Sequence, residues 1–191
     1  FNGDSGKFTD TRDNQTYNWI RIGDQIWMAE NLAYDVGDGC WAYDNDELNN
    51  VYIYGLLYTW EAAQTACPPG WHLPTDNEWK QLEIAIGMSQ SEADNTKWRG
   101  TNQGTKLKAT SGWDDNGNGT DDFGFSALPG GFRHSVGGFD AVGYFGAWWS
   151  STENDNNLAW NRAMHSNSST VARDIIYNKR FGYGVRCVRD N

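Results

Sequence analysis

The sequence is short of several things that define common protein classes. Only three cysteines occur in 191 residues, Cys40, Cys67 and Cys187, and their spacing fits neither a Cys-x-x-Cys redox pair nor a zinc knuckle. At most one internal disulfide can form. No apolar run approaches the roughly 20 residues of a membrane helix, and no basic n-region followed by an apolar h-region opens the chain. Phe1 in place of Met reads as a trimmed start, so any export signal or neighbouring domain lies outside this sequence. Basic residues are also few, 15 Lys and Arg against 25 Asp and Glu, which leaves a net charge of -10 and a pI near 4.6. Nucleic-acid affinity comes largely from Lys and Arg neutralising phosphates, so nucleic acid and anionic membrane are poor partners.

What is abundant is aromatic surface. Hydrophobic residues make up only 38% of the chain, yet eleven Trp help raise the aromatic share to 15%, so a few large rings must supply much of the buried area. A chain of this length can bury roughly 70% of its unfolded surface. One domain spanning residues 1–191 is the expectation, and disorder is not, despite a mean hydropathy of -0.74. Many Trp, Gly and Asn with low charge suit an exported β-rich domain better than a cytosolic enzyme.

Along the chain, residues 16–22 and 25–29 read as a hairpin turning at Gly23-Asp24, and residues 34–51 as an acidic loop pinned by Trp41 and Tyr43. Leu56, Leu57, Trp60, Ala63 and Cys67 recur at helical spacing and predict a first helix over 55–66, stopped by Pro68-Pro69-Gly70. A second helix begins after Thr75, with Glu78 completing a capping box and Trp79, Leu82 and Ile86 forming the apolar stripe. Residues 92–98 suggest a short helical turn. Strands are expected over 125–132, 147–152, 158–165, 171–177 and 184–189. Two early helices followed by several strands give an α+β fold.

The loop at 114–122 offers alternating oxygen ligands, Asp114, Asn116, Asn118 and Asp122, in the manner of a calcium loop. Its twelfth position is Phe125 where an EF-hand needs Glu, so an EF-hand is excluded. Two readings stay open: a calcium site of another type, or a turn held by Asx hydrogen bonds. No nucleophile stands beside a base. His72, His134 and His165 are scattered, and Glu153 with Asp155 is the one carboxylate pair placed for glycoside chemistry, in a loop where surface acids are ordinary. Trp148, Trp149 and Trp160 have the chemistry to stack on sugar rings, although their strand spacing makes core the default for at least two. From His134 onward, Lys, Glu, Met and Trp occur only at Trp148, Trp149, Glu153, Trp160, Met164 and Lys179, and Gln is absent. The positions between use small polar and aromatic residues of low rotamer entropy, as antibody paratopes do.

The run Gly23-Asp24-Gln25-Ile26-Trp27-Met28-Ala29-Glu30-Asn31-Leu32 resembles the Fibrobacter succinogenes major paralogous domain family. So do Cys67-Pro68-Pro69-Gly70-Trp71-His72-Leu73-Pro74-Thr75, Gly124-Phe125-Ser126-Ala127-Leu128-Pro129-Gly130-Gly131, Trp149-Ser150-Ser151-Thr152 and Val185-Arg186-Cys187-Val188-Arg189-Asp190. The resemblance covers nearly the whole chain. It implies an exported or cell-surface protein of Bacteroidetes and their relatives with a C-type-lectin-like fold, in which a long-range disulfide ties the first helix to the last strand. Cys67 and Cys187 match that disulfide in placement. Where other members often carry a second cysteine pair this chain has Ala42 and Asn50, which leaves Cys40 over.

The same fold includes the formylglycine-generating oxidases, which the Leu73-Pro74-Thr75 helix start also resembles. Those enzymes use a closely spaced cysteine pair late in the chain, and only Cys187 lies there. The polar positions after His134 use residues reachable from an Asn AAC codon by changing its adenines, which resembles the variable region of diversity-generating-retroelement proteins. The expected function is therefore binding of a glycan or protein ligand on a cell or phage surface, without catalysis, on a face built from the last third of the chain, residues 123–191. The candidate contacts are Asp140, Tyr144, Asn154, Asp155, Asn157, Asn161, His165, Asn167, Asp174, Tyr177 and Asn178. No cofactor beyond calcium is implied, no membrane insertion is expected, and attachment to another domain or a pilus is. A formylglycine-type oxidase and a purely structural pilus or adhesin module are the alternatives.

Overall fold

Gly23 adopts a φ of +59°, the left-handed conformation that a two-residue hairpin turn favours, and the flanking runs pair as predicted. These are β2 (Thr16–Ile22) and β3 (Gln25–Met28), antiparallel, with Ile22 opposite Gln25. β1 (Ser5–Thr9) pairs with the outer side of β2. In the computed structural model, which describes residues 3–190, the chain is an α+β fold in which strands from both ends of the sequence share one sheet.

That sharing is the main long-range feature. β4 (Cys40–Trp41) and β5 (Leu57–Tyr58) form a small ladder of their own, and β6 (Trp71–His72) lies at the far edge of the first sheet. The last strand, numbered β13 (Val188–Arg189) after the six described next, inserts between β3 and β6 through Val188 opposite Trp27 and His72. The second sheet has the order β7-β12-β11-β10-β8-β9, from β7 (Lys97–Arg99), β8 (Gly130–Arg133), β9 (Phe139–Val142), β10 (Phe145–Glu153), β11 (Ala159–His165) and β12 (Val171–Asp174).

The helices are α1 (Asn50–Tyr54), α2 (Trp60–Ala66), α3 (Asp76–Ala85), α4 (Gln90–Asp94) and α5 (Gln103–Leu107). α3 starts as expected, with Thr75 and Glu78 forming a reciprocal capping box. The predicted first helix over 55–66 is corrected. Gly55 turns to a φ of +72° and lies so close to the Leu32 carbonyl that a Cβ would clash, so the chain cannot coil there. Leu57 and Tyr58 extend instead, Tyr58 exchanges backbone hydrogen bonds with Tyr183, and Thr59 caps a shorter helix.

The expected turn over 92–98 is likewise corrected. A second capping box, Ser89 with Glu92, starts α4 earlier, and residues 97–99 become β7. Of 125–132 only residues 130–132 enter a strand, and the strands predicted over 171–177 and 184–189 shorten to β12 and β13.

Two apolar clusters result, and both sheets feed both of them. One gathers Tyr17, Trp19, Tyr58, Trp71, Trp149 and Tyr183; the other gathers Trp27, Trp79, Leu82, Phe125, Trp148 and Met164. Adjacent Trp148 and Trp149 point to opposite clusters, as alternation along a strand requires, and both are fully buried.

Two further devices close the molecule. Cys67, at the end of α2, is disulfide-bonded to Cys187, just before β13, across 120 residues. Beneath α3, Asp76 accepts hydrogen bonds from Arg162 (2.8 Å) and Arg173 (2.8 Å), and Glu83 from Arg162 (2.6 Å) and Arg99. Among the described residues no helix is long and apolar enough to cross a membrane.

Closing a 120-residue loop contributes about 4 to 5 kcal/mol in the chain-entropy model. Reduction, or replacement of both cysteines by serine, is expected to lower unfolding free energy by that order, measured in urea with and without reductant. Burial alone would raise the Asp76 pKa, but the guanidiniums of Arg173 and Arg162 outweigh it and hold the carboxyl at about 2. A depressed carboxylate stabilises the fold above its unfolded pKa, so about 2 kcal/mol is fully present above about pH 4 and lost as pH falls toward 2. The urea midpoint should drop across that window, and the drop should shrink in Asp76→Asn.

Candidate functional site

The second sheet carries a line of aromatic rings from its core to the surface. Trp149 packs on Tyr183 (4.4 Å between centroids), and Tyr183 lies 6.4 Å from Phe181. Phe181 stacks on Tyr177 (4.6 Å) and lies 5.7 Å from His134. Phe132 touches His134, Tyr177, Phe181 and Phe145, and Phe145 reaches His165. Trp149 and Tyr183 are buried, while Phe132, His134, Phe145, His165 and Phe181 are half-buried and Tyr177 is 39% exposed.

The reason these rings meet is backbone proximity. Gly182 pairs with Arg133, and a Cβ at Gly182 would come within 2.9 Å of the Arg133 Cβ. Only glycine lets residues 181–183 lie flat across β8. Beyond the rings, Arg133 stacks its guanidinium on Trp41, 3.7 Å from the ring centre, and His134 Nε2 lies 3.8 Å from Asp140. The arrangement offers ring faces and edges, two imidazoles and an exposed carboxylate, which suits hydrogen bonding and stacking.

The predicted contact residues divide. Tyr177 and His165 belong to the ring cluster, Asp140 stands beside His134, and exposed Tyr144 immediately precedes Phe145 and accepts the Ser166 N–H on its carbonyl. Asn167 is exposed in the turn after β11, its N–H donated to His165 Nδ1. Asn154, Asp155 and Asn157 occupy the β10–β11 loop. The β10–β11 ladder runs from Phe145 opposite His165 to Glu153 opposite Ala159, so that loop lies at the other end of it, roughly 25 Å from His165 at strand rise. Asn178 pairs with Leu158 beside this loop while its neighbour Tyr177 touches Phe132, so residues 177 and 178 link the two ends.

Asn161 is a correction: it is 4% exposed, and its amide donates to the Asp174 carbonyl (3.0 Å), which removes it from any contact face. Asp174 is half-buried, with Oδ1 accepting the Ile175 N–H. Phe132, His134, Phe145 and Phe181 were not among the predicted contacts. A signal existed, because Phe132, Phe145 and Phe181 each neighbour a glycine in a strand-like run, the pattern of a ring next to a close backbone approach. Trp160 lies under Arg173, with the guanidinium 3.8 Å from its ring centre.

The loop at 114–122 is built as a turn. Asn118 Oδ1 accepts the Trp113 N–H (3.0 Å), Asp121 accepts both the N–H and the hydroxyl of Ser126, and Asp114 lies against Gly143. The oxygen of Asn118 is therefore committed to the backbone. Among the described residues no group of three or more His, Cys, Asp or Glu side chains is placed to hold a metal ion. His72 bridges Asp190 (2.6 Å) and Glu78 (2.8 Å), Glu153 pairs with Lys179, and Asp155 caps its own loop through the N–H groups of Asn157 and Leu158.

A family model described as the Fibrobacter succinogenes major domain matches residues 20–189. The chain belongs to that family. Neither a curated protein nor a solved structure gives a match. In this member of the Fibrobacter succinogenes major domain family the late cysteine is bridged to Cys67, and Cys40 is the free thiol. Cys40 Sγ donates to Asp35 Oδ1 (3.2 Å), and burial together with that carboxylate pushes the thiol up to about 11. Its alkylation by iodoacetamide at pH 8 is expected to be on the order of a hundredfold slower than that of a free cysteine, rising as pH approaches 11. A rate like that of free cysteine would contradict the assignment.

Proposed function

We propose that this chain is an exported, C-type-lectin-like ligand-binding domain that recognises a glycan or protein through the face carrying Phe132, His134, Phe145, Tyr177 and Phe181. The observation that carries the reading is the continuous, partly exposed ring cluster anchored in the core through Tyr183 and Trp149. Large amphipathic rings on a rigid frame bind at low entropic cost. The lectin-like placement is supported by the bridge from the end of α2 to the start of β13 and by terminal strands sharing one sheet. Export is supported by that same disulfide, since such bonds persist in oxidising compartments. Attachment to a further domain or a pilus belongs to this reading.

A formylglycine-type oxidase needs two thiols together late in the chain, and here Cys187 is bonded to Cys67. Retroelement diversification is a second proposal, favoured by where the residues outside the adenine-derived set fall. Trp148, Trp149 and Met164 are fully buried, Lys179 is nearly so, Glu153 pairs with Lys179, and Trp160 stacks under Arg173. A nearby near-copy of the segment differing only at adenines, with a reverse transcriptase, is the expected genomic finding.

The binding reading is tested by screening the domain on glycan and surface-protein arrays. For any ligand found, Tyr177→Ala is expected to weaken binding at least about tenfold. The melting temperature should stay nearly unchanged, because Tyr177 is 39% exposed. Equal affinity for both proteins would exclude the ring cluster as the site, and arrays without any ligand would favour a purely structural surface module.

A further inference from the structure

Two loops at opposite ends of the β10–β11 ladder are organised by the same device. Lys108, just after α5, is 3% exposed, and its ammonium donates to the carbonyl oxygens of His165 (3.1 Å), Ser166 (3.4 Å) and Ser168 (3.0 Å). The ring centre of Trp113 lies 5.0 Å from Lys108 Nζ. Lys179, which precedes the last strand, donates to the carbonyls of Asp155 (2.9 Å) and Asn156 (3.3 Å), pairs with Glu153, and lies over Trp60 at 4.3 Å. In each case a buried ammonium from outside the loop is backed by a tryptophan and aimed at loop carbonyls.

Main-chain carbonyls are present whatever side chain the residue carries. A buried ammonium is costly unless oxygens replace its water, and the Lys108 ammonium has three carbonyls and a ring face to do so. The carbonyls of residues 165, 166 and 168 are thereby held by a cation that those residues do not themselves supply, beside the Asn167 N–H donated to the His165 imidazole. In the other loop the same holds at Asn156, whereas Asp155 contributes its own carboxylate to the turn. Asn156, Asn157 and Asn167 are exposed.

We propose that Lys108 and Lys179 are positioning residues for two exposed loops, one beside the ring cluster and one at the far end of the ladder, internal cations that set the main chain so that Asn156, Asn157 and Asn167 present exchangeable side chains on a fixed backbone. This rests on the binding reading of the face above.

The test needs no ligand, so its failure is separate from failure to find one. Amide hydrogen exchange would be compared in the full chain, Lys108→Met and Lys179→Met. Exchange of the 166–170 amides should accelerate at least about tenfold in the first, and that of the 154–157 amides in the second, while the α3 amides keep their protection. Because Lys108→Met removes the donor to three carbonyls and so risks the fold itself, a second set is included. Asn156→Tyr, Asn157→Asp and Asn167→Tyr should each leave the melting temperature within about 2 °C of the parent, a surface-sized effect, whereas Asp155→Ala should lower it clearly. Unchanged loop exchange in the lysine variants, or melting losses in the asparagine variants as large as in Asp155→Ala, would overturn the proposal.

Discussion

The ionic cluster under α3 is the interaction on which the second sheet depends. β11 and β12 pair with Arg162 directly opposite Arg173, a juxtaposition of like charges that would by itself oppose the ladder. Asp76 resolves it. One carboxylate oxygen accepts from Arg162 Nη1 at 2.8 Å and Arg173 Nε at 2.9 Å, so the two guanidiniums share a counter-charge supplied by the first turn of the helix. Glu83, two turns further along the same helix face, takes Arg162 and Arg99 in the same way and brings in β7. Removing one partner of a buried pair leaves an uncompensated charge and typically costs about 3 to 5 kcal/mol. Three strands are thus held in register by one helix.

A second buried cation joins the two ends of the chain. Arg186 is fully buried and, among the described residues, pairs directly with no carboxylate; burial pushes its pKa down to about 9, which still leaves it charged at neutral pH. It donates to Asn31 Oδ1 and to the carbonyls of Met28, Phe125 and Ser126. Trp148 Nε1 donates to the same Asn31 oxygen, so the first hairpin, the central strand and the last segment meet at one amide. The neighbouring disulfide secures the same junction covalently. With the interior fixed in this way, half-exposed rings and carbonyl-bound loops can stay ordered at the surface.

Much of this was legible locally. The Gly23-Asp24 hairpin and the Thr75/Glu78 capping box are short-range devices, and both formed as read. The Cys67–Cys187 link followed from the family's motifs, since three cysteines by themselves left the pairing open. Errors arose where tertiary contact overrode spacing. Leu56, Leu57 and Trp60 fit a helix, yet the close approach of Gly55 to the Leu32 carbonyl and the pairing of Tyr58 with Tyr183 made the segment extended. Asn161 looked like its exposed neighbours, but its partner is a main-chain carbonyl thirteen residues away on the adjacent strand.

The sequence by itself determined the local elements with short-range signals, the acidic and aromatic character, and the family, because these depend on residue type and close spacing. Only the tertiary structure decided which rings form the exposed cluster and that Lys108 and Lys179 serve loops far from them in sequence. Those outcomes rest on hydrogen bonds and ring contacts between residues tens of positions apart. No local pattern encodes which distant carbonyl or ring face a buried side chain will meet.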